Sequence, residues 1–248
     1  MKLKKLLCKK DETPRCAVVI VAAGSSQRMG SDKIMGALGG IPVLVRAILP
    51  FERSELVNDI VVVTRRDKIE HVADLRQKYG LSKVSKVIAG GATRMESALA
   101  GVSEVSGKAN LIAIHDGARP LVSEALINRT IYAAHEHLAA VPVLKSADTL
   151  KTVDAAGVVC GDVDREATVR IQTPQVFEAD LLKGALTYAV QHNLPLTDDS
   201  SAVEKMGVKI YTVPGEEENL KLTIPQDLVT AEAILRIRGD AYADRPWL

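Results

Sequence analysis

A turn of small residues followed by two cations carries the strongest chemical signal in this sequence. Ala22, Ala23 and Gly24 form the turn, and Arg28 and Lys33 follow it at loop distance. Small side chains let a polyanion approach the backbone amides, while arginine and lysine supply fixed positive charge. These residue types at this spacing predict a site for a nucleoside triphosphate.

The loop matches neither of the two common phosphate-binding motifs. In a P-loop, glycine and lysine are adjacent, but here Ser31 and Asp32 separate Gly30 from Lys33. The dinucleotide motif fails because Ser26 stands at its second glycine position. The sequence therefore favours neither a P-loop ATPase nor a dehydrogenase. A core strand that ends in an ordinary turn, with solvated cations, stays open as an alternative.

The segment IHDGARP, residues 114–120, is the second candidate for chemistry. Asp116 follows an apolar run, at the carboxyl end of a predicted strand, which is where open α/β sheets bind ligands. Its carboxylate can bind Mg²⁺ or another divalent cation, and Arg119 can bind a phosphate bidentately. The alternative is that these two side chains simply pair in a turn. His115 is expected to pack beside the site rather than bind a ligand.

A glycine pair, Gly90 and Gly91, joins a predicted strand to a predicted helix. The glycines clear space, and Ser97 can reach back to a ligand above the helix N-terminus. Taken alone, such a turn is also a common connection. We expect this turn, the first turn and Asp116 to converge on one crevice, because all three follow strands.

Apolar, strand-like runs alternate with amphipathic segments and must position these residues. The alternation predicts an α/β fold, with a Rossmann-like, mostly parallel twisted sheet flanked by helices. Predicted strands are 17–22, 60–64, 86–89, 111–115, 139–144 and 208–213. Predicted helices are 42–53, 67–79, 94–105, 123–137, 178–192, 199–206 and 226–238. We expect a single domain over 16–238, a disordered basic tail over 1–15 and a second tail over 239–248.

One interval, 142–174, breaks the alternation. Its two short β-rich pieces, 148–154 and 157–164, are too close together for a crossover and predict a hairpin. An isolated hairpin is marginal in water and needs a surface to pack on. We therefore expect a protruding β-arm that docks on a second subunit to form a homodimer.

Composition excludes several classes of protein. A net charge of +1 and an aromatic content of 3% argue against nucleic-acid binding. No apolar run approaches the roughly 20 residues of a transmembrane helix. Cys8, Cys16 and Cys160 are too scattered for a disulfide framework or a zinc site. We expect a cytoplasmic protein that binds neither nucleic acid nor membrane.

Seven motifs, in order, resemble the 2-C-methyl-D-erythritol 4-phosphate cytidylyltransferase family of the non-mevalonate isoprenoid pathway, within the nucleotidyltransferase superfamily. The resemblance spans about residues 16–238. The motifs are AAGSSQRMGSDK, GGATRMESAL, IHDGARP, DTLKTVD, VDREATVRIQTPQVF, TDDSSAVE and NLKLTIPQDL.

This resemblance implies that the acceptor phosphate attacks the α-phosphate of CTP in line, giving 4-diphosphocytidyl-2-C-methyl-D-erythritol and pyrophosphate. The implied catalytic residues are Arg28, Lys33, Arg165 and Lys221. The implied nucleotide-binding residues are Ala22, Ala23, Gly24, Gly90, Gly91, Ser97 and Asp116. The implied acceptor-binding residues are Asp116, Arg119, Thr149, Arg165 and Thr197, with Thr149 and Arg165 coming from the neighbouring subunit. Asp116 is also the implied metal ligand.

Three features depart from the family pattern. Four residues, 144–147, lengthen the segment before Thr149; Ala92 stands where an acidic residue is common; and the loop between Arg28 and Lys33 is short. Two other functions stay open. One is a cytidylyltransferase for another sugar-alcohol phosphate, such as ribitol 5-phosphate, and the other is a catalytically silent nucleotide-binding regulatory protein.

Asp198 and Asp199 precede a predicted helix and allow two interpretations. Acidic side chains at this position cap a helix by accepting hydrogen bonds from its first N–H groups. Alternatively, one of the two carboxylates faces the substrate.

Overall fold

The fold is organised around a central sheet of eight strands, in a computed structural model that describes residues 13–24 and 34–239. Arg28, Lys33, most of the basic segment before residue 16 and residues 240–248 lie outside the described residues. The strands are β1 (Cys16–Ala22), β2 (Ala37–Leu38), β3 (Ile41–Pro42), β4 (Val57–Thr64), β5 (Val84–Ala89), β6 (Leu111–Asp116), β7 (Ala139–Lys145), β8 (Lys151–Val153), β9 (Val159–Asp162), β10 (Val169–Ile171), β11 (Gln175–Glu178) and β12 (Tyr211–Pro214). The α-helices are α1 (Val43–Arg53), α2 (Ile69–Lys78), α3 (Arg94–Glu104), α4 (Glu124–His137), α5 (Ala179–Gln191), α6 (Asp199–Lys205) and α7 (Pro225–Ile237).

The apolar run of β1 is uninterrupted because the strand is covered on both faces. Its neighbours β4 and β6 both run parallel to it. Val18 and Ile20 enter one apolar cluster with residues of α1, α2 and α4, whereas Ala17 and Val19 enter another with residues of α3 and α5. All four side chains are buried, as expected for a parallel strand between two helical layers.

The sheet order is β10-β7-β11-β6-β1-β4-β5, with β12 beside β7. Pairings between β1, β4, β5 and β6 are parallel, as is β12 with β7. The predicted α/β class and mostly parallel sheet are confirmed. The sequence analysis missed β10 and β11, which pair antiparallel with their neighbours. These strands are three and four residues long, too short to give a recognisable pattern.

The hairpin predicted over 148–164 forms between β8 and β9, which make a two-stranded sheet of their own. Asp154 closes its turn by accepting hydrogen bonds from the N–H groups of Ala156 and Val158, both at 2.9 Å. Val153, Val158 and Val159 are each 60% exposed. The hairpin therefore presents apolar side chains to solvent within this chain.

No helix in the described part of the chain combines the length and apolarity needed to cross a bilayer.

Candidate active site

The predicted turns meet at the carboxyl edge of the parallel strands. The Gly117 N–H donates to the Val21 carbonyl at 2.9 Å, which places the end of β6 against the first turn. Gly90 lies so close to that turn that a Cβ on it would be 2.5 Å from the Ala23 Cβ. The three strand ends therefore form one crevice, as the sequence predicts, and Gly90 allows the close approach.

Ser97 organises the glycine pair. Its hydroxyl accepts the Gly91 N–H at 3.1 Å and donates to the Thr93 carbonyl at 2.9 Å. Thr93 in turn caps α3 by accepting the Glu96 N–H at 3.1 Å. Ser97 is buried, and the contact with nucleotide implied for it stays a prediction.

Asp116 lies at the centre of a cluster of cations. Its Oδ1 lies 3.2 Å from Arg94 Nη2, and its Oδ2 lies 2.8 Å from Lys221 Nζ and 3.7 Å from Arg119 Nε. Burial opposes the negative charge, but Arg94 and Lys221 hold the pKa of the Asp116 carboxyl well below its usual range. The Asp116–Arg119 pair considered above is present, but it is the longest of three contacts in a larger charged site.

The chain from 219 to 222 brings Lys221 into this cluster. The Leu222 N–H donates to the Ala118 carbonyl at 2.8 Å, and Arg119 Nη1 donates to the Asn219 carbonyl at 2.7 Å. These contacts attach a segment that comes about 100 positions later in the sequence to the turn after β6. Lys221 and Arg119 therefore approach Asp116 from different elements.

Arg94 and Asp199 form an ion pair that the sequence analysis missed. Arg94 Nη2 lies 2.7 Å from Asp199 Oδ2, and the Asp199 side chain is 1% exposed. Burial opposes the charge on Arg94, but Asp199 and Asp116 raise its pKa above the usual value. An arginine directly after a glycine turn, at the start of a helix, was the available signal. Its acidic partner is 105 residues away in sequence and carries no local signal.

The two aspartates before α6 have different roles. Asp198 caps the helix, because its Oδ1 accepts the Ser201 N–H at 3.0 Å. Asp199, one residue later, points to Arg94 instead. The capping interpretation is therefore confirmed for Asp198, whereas Asp199 belongs to the charged cluster.

His115 is a buried, neutral residue beneath the cluster. Its Nε2 lies 3.2 Å from the Arg119 carbonyl, which can only accept, so Nε2 carries the proton. Its Nδ1 then accepts from the Thr173 hydroxyl at 3.0 Å, and that oxygen accepts the Asp116 N–H at 3.1 Å. Burial lowers the pKa of His115 to about 4. As expected, His115 supports the site from within the core.

A cavity of about 330 Å³ opens over the cluster. This volume falls within the range of small-molecule sites. Its described lining is almost entirely polar or charged, and it consists of Arg94, Asp116, Arg119, Ile171, Thr173, Gln175, Thr197, Asp198, Ser200, Ser201, Glu204 and Lys221. Thr197, Lys221, Asp116 and Arg119 are thus brought together, as predicted.

Thr149 and Arg165 are not part of that lining. Both are exposed. Arg165 Nη1 makes a long hydrogen bond, 3.5 Å, to the Ala147 carbonyl. Their implied roles at the acceptor stay predictions, as do those of Arg28 and Lys33, which lie outside the described residues.

A mostly parallel α/β sheet with glycine turns and a cation-ringed carboxylate at its carboxyl edge suits a nucleotidyltransferase-type enzyme. The model of the 2-C-methyl-D-erythritol 4-phosphate cytidylyltransferase family matches residues 16–237, and this chain belongs to that family. The family membership and enzyme class expected from the motifs are thereby confirmed.

Individual relatives agree with this assignment. Two relatives carry the name 2-C-methyl-D-erythritol 4-phosphate cytidylyltransferase. The protein from Caldanaerobacter subterraneus subsp. tengcongensis is 39% identical to this chain over 223 residues. The protein from Frankia casuarinae is 40% identical to it over 226 residues. These matches cover 89% and 90% of this chain and 98% and 82% of the relatives. The crystal structure of 4-diphosphocytidyl-2C-methyl-D-erythritol synthase from Anaerococcus prevotii is similar with a TM-score of 0.81 at 30% identity, covering 92% of this chain and 98% of that one. The structure of 2-C-methyl-D-erythritol 4-phosphate cytidylyltransferase from Thermus thermophilus is similar with a TM-score of 0.72 at 33% identity, covering 88% of this chain and 98% of that one.

Proposed function

We propose that this chain transfers CMP from CTP to 2-C-methyl-D-erythritol 4-phosphate, giving 4-diphosphocytidyl-2-C-methyl-D-erythritol and pyrophosphate. The observation that carries the proposal is the cluster of Arg94, Arg119 and Lys221 around Asp116, at the end of a central strand. Three cations in one cavity suit two substrates that are both polyanions. Membership of the cytidylyltransferase family supports the same reaction.

The chemistry needs charge compensation more than proton transfer. The acceptor phosphate is already an anion, so its oxygen attacks the α-phosphorus without a general base, and pyrophosphate leaves on the opposite side. Repulsion between the substrates and charge on the α-phosphate oxygens limit the rate. Lys221, Arg28 and Lys33 compensate that charge, while Arg119 orients the attacking group.

The hydroxyl-rich wall of the cavity suits the polyol part of the acceptor. Thr173, Thr197, Ser200 and Ser201 line the cavity together with Asp116. A carboxylate accepts hydrogen bonds from sugar hydroxyls, and threonine or serine can donate or accept. We assign acceptor binding to Asp116, Arg119 and Thr197.

We also propose that Asp116 holds Mg²⁺ together with the triphosphate. Among the described residues, no three histidine, cysteine or acidic side chains are grouped as a metal site. The donor chemistry still fits, because Mg²⁺ is commonly held by one or two carboxylates while phosphates and water supply the other oxygens. When bound, the ion would neutralise charge on the phosphates. Removing divalent cations with a chelator is expected to abolish turnover, and added Mg²⁺ to restore it.

We infer a homodimer in which the β8–β9 hairpin of one subunit reaches the cavity of the other. Two observations support it: the hairpin exposes three valines, and Thr149 and Arg165 are absent from the described lining of their own cavity. A partner's arm would supply both residues to the acceptor phosphate. A cytoplasmic location is our further inference, supported by the unpaired thiols of Cys16 and Cys160.

Pyrophosphate release by the purified chain tests the proposed reaction. CTP and Mg²⁺ are supplied with either 2-C-methyl-D-erythritol 4-phosphate or ribitol 5-phosphate. We expect release with the first acceptor and little with the second. The reverse preference would make the chain a cytidylyltransferase for another sugar-alcohol phosphate. Tight CTP binding without release from either acceptor would favour a silent regulatory protein.

A further inference from the structure

Asp199 is a buried acid that no other part of the proposed mechanism uses. It lies at the start of α6 with its side chain 1% exposed, directly beside Arg94. Helix capping does not account for it, because Asp198 already accepts the Ser201 N–H. Burying a carboxylate is costly unless a cation compensates it. The cation that does so here is a residue of the substrate cavity.

The contact with Arg94 has a particular geometry. The same nitrogen, Nη2, lies 2.7 Å from Asp199 Oδ2 and 3.2 Å from Asp116 Oδ1. The closer contact is an ion pair without the alignment of a hydrogen bond, and the longer one is a hydrogen bond. One nitrogen therefore serves both carboxylates, and the Arg94 side chain stays 33% exposed.

We propose that Asp199 is a positioning residue: it holds Arg94 so that one nitrogen is shared between two acids while the remaining donors stay available to substrate anions. The inference rests on the proposed function, because it takes this cavity as the substrate site. A guanidinium can pair with one carboxylate through two parallel hydrogen bonds. Asp199 prevents Arg94 from closing onto Asp116 in that way, and so leaves the face of Asp116 that lines the cavity available to substrate.

The residues on either side of Asp199 are fixed by a separate set of contacts. Gln175 Nε2 donates to Asp198 Oδ2 at 2.8 Å, and Gln175 Oε1 accepts the Ser200 N–H at 2.9 Å. Ser200 Oγ also donates to Asp198 Oδ2 at 2.6 Å. These bonds attach the first turn of α6 to β11 without involving Arg94. The sheet thus sets the position of Asp199, and Asp199 in turn holds Arg94.

A double-mutant cycle in the full chain tests the proposal. The variants are Asp199→Asn, Arg94→Lys and both together, compared in kcat and KM for CTP and 2-C-methyl-D-erythritol 4-phosphate. Asn keeps the size of Asp but removes its charge, and Lys keeps a charge but lacks the further planar N–H donors that the guanidinium leaves for substrate. We expect Asp199→Asn to lower kcat/KM about tenfold or more in the wild-type background, as for strongly coupled neighbours. In the Arg94→Lys background, we expect it to lower kcat/KM by no more than about twofold.

Asp59→Asn is the matched control. Asp59 is also buried, 7% exposed, and accepts hydrogen bonds from Ser85 Oγ and the Ser106 N–H, outside the described cavity lining. We expect this variant to lower Tm while leaving kcat/KM unchanged. If Asp199→Asn behaved like this control, or reduced activity equally in both arginine backgrounds, the positioning role would be wrong. Failure of the wild-type chain to release pyrophosphate would instead contradict the proposed function.

Discussion

At the scale of single residues, one carboxylate holds the cationic side chains of the cavity in place. Lys221, Arg94 and Arg119 surround Asp116, so part of their positive charge is compensated before any substrate arrives. Phosphate oxygens then compete with a carboxylate that is already in place. This arrangement fixes cationic side chains that would otherwise repel one another, and preorganised charge is what phosphoryl chemistry requires.

Arg28 and Lys33 are expected to matter more for turnover than for affinity. Replacing either with alanine should lower kcat by about 10²–10³, because we propose that each stabilises charge that develops on the α-phosphate in the transition state. Pyrophosphate release gives kcat, and calorimetry gives the Kd for CTP. Arg76→Ala, an exposed change on α2, serves as control and should be unaffected. Unchanged turnover in both the Arg28 and the Lys33 variant would contradict the assignment.

His115 makes the stability of the protein depend on pH. Its folded pKa is lowered to about 4, so between that value and the unfolded pKa of about 6.5 the unfolded chain binds more protons. Stability is therefore lost as pH falls through this range, by about 2 kcal/mol at pH of about 5. Urea unfolding at pH of about 7.5 and 5 should show this loss in the wild type and a smaller loss in His115→Gln. Equal losses in both proteins would refute the contribution.

At the scale of elements, the close packing of α3 on β1 brings Arg94 to the cavity. A Cβ at Gly101 would collide with Val19 and lie 2.7 Å from Val63 Cγ2. Glycine therefore lets the helix lie against the sheet at a distance that alanine would not allow. Because Arg94 begins the same helix, its position depends on this contact about two turns away.

Gly101→Ala should separate α3 from the sheet. We expect a loss of about 1–3 kcal/mol in the free energy of unfolding, together with reduced kcat/KM, because the extra methyl group overpacks the contact. Gly184→Ala in α5 is a matched control, since a Cβ there meets nothing within 4 Å. That variant should be neutral or more stable by up to about 1 kcal/mol. Urea unfolding and steady-state kinetics distinguish the two, and similar behaviour of both would contradict this packing argument.

The sequence predicted those elements whose pattern is long enough to repeat. All seven described α-helices and the parallel strands were expected, because apolar periodicity or a continuous apolar run marks each of them. The strand β11 was missed although Val176 and Phe177 are fully buried. Four residues cannot establish a period, and its place between β6 and β7 is decided by tertiary pairing.

The candidate site was predictable to a similar extent. Residues in contiguous motifs, such as Asp116 and Arg119, could be recognised from their place after a strand. The Arg94–Asp199 pair joins two helices, and no local pattern indicates which acid faces which base. Distinguishing Asp198 from Asp199 required the orientation of the first turn of α6, because neighbouring residues on a helix point in different directions.

At the scale of the whole molecule, the hairpin and the cavity are both connected to the main sheet. The strands β7, β10 and β11 flank the hairpin in sequence and belong to the main sheet. Thr173, between β10 and β11, accepts the N–H of Asp116. The segment that leads back from the hairpin thus contacts the carboxyl edge of the sheet, where the cavity lies. This contact suits the proposed exchange of arms between two subunits.

Mixing two inactive variants tests the shared site. Arg165→Ala and Lys221→Met should each abolish most turnover as separate homodimers. After subunit exchange, a mixed dimer has one cavity with an intact lysine and an intact partner arm. An equal mixture should recover about a quarter of wild-type activity, because half of the dimers carry one intact site of two. Light scattering checks that the variants remain dimers, and dimers that exchange without recovering activity would place both residues in one subunit's site.

The order of strands in the sheet also governs when the cavity can exist during synthesis. Strands β1, β4, β5 and β6 are adjacent in space and come early in the chain, so this half can assemble as it emerges from the ribosome. The charge cluster around Asp116 would then be incomplete until Asp199 and Lys221 have been synthesised. We therefore expect the nascent protein to acquire this half of its sheet before its charge cluster is complete, so that substrate can stabilise only the finished chain.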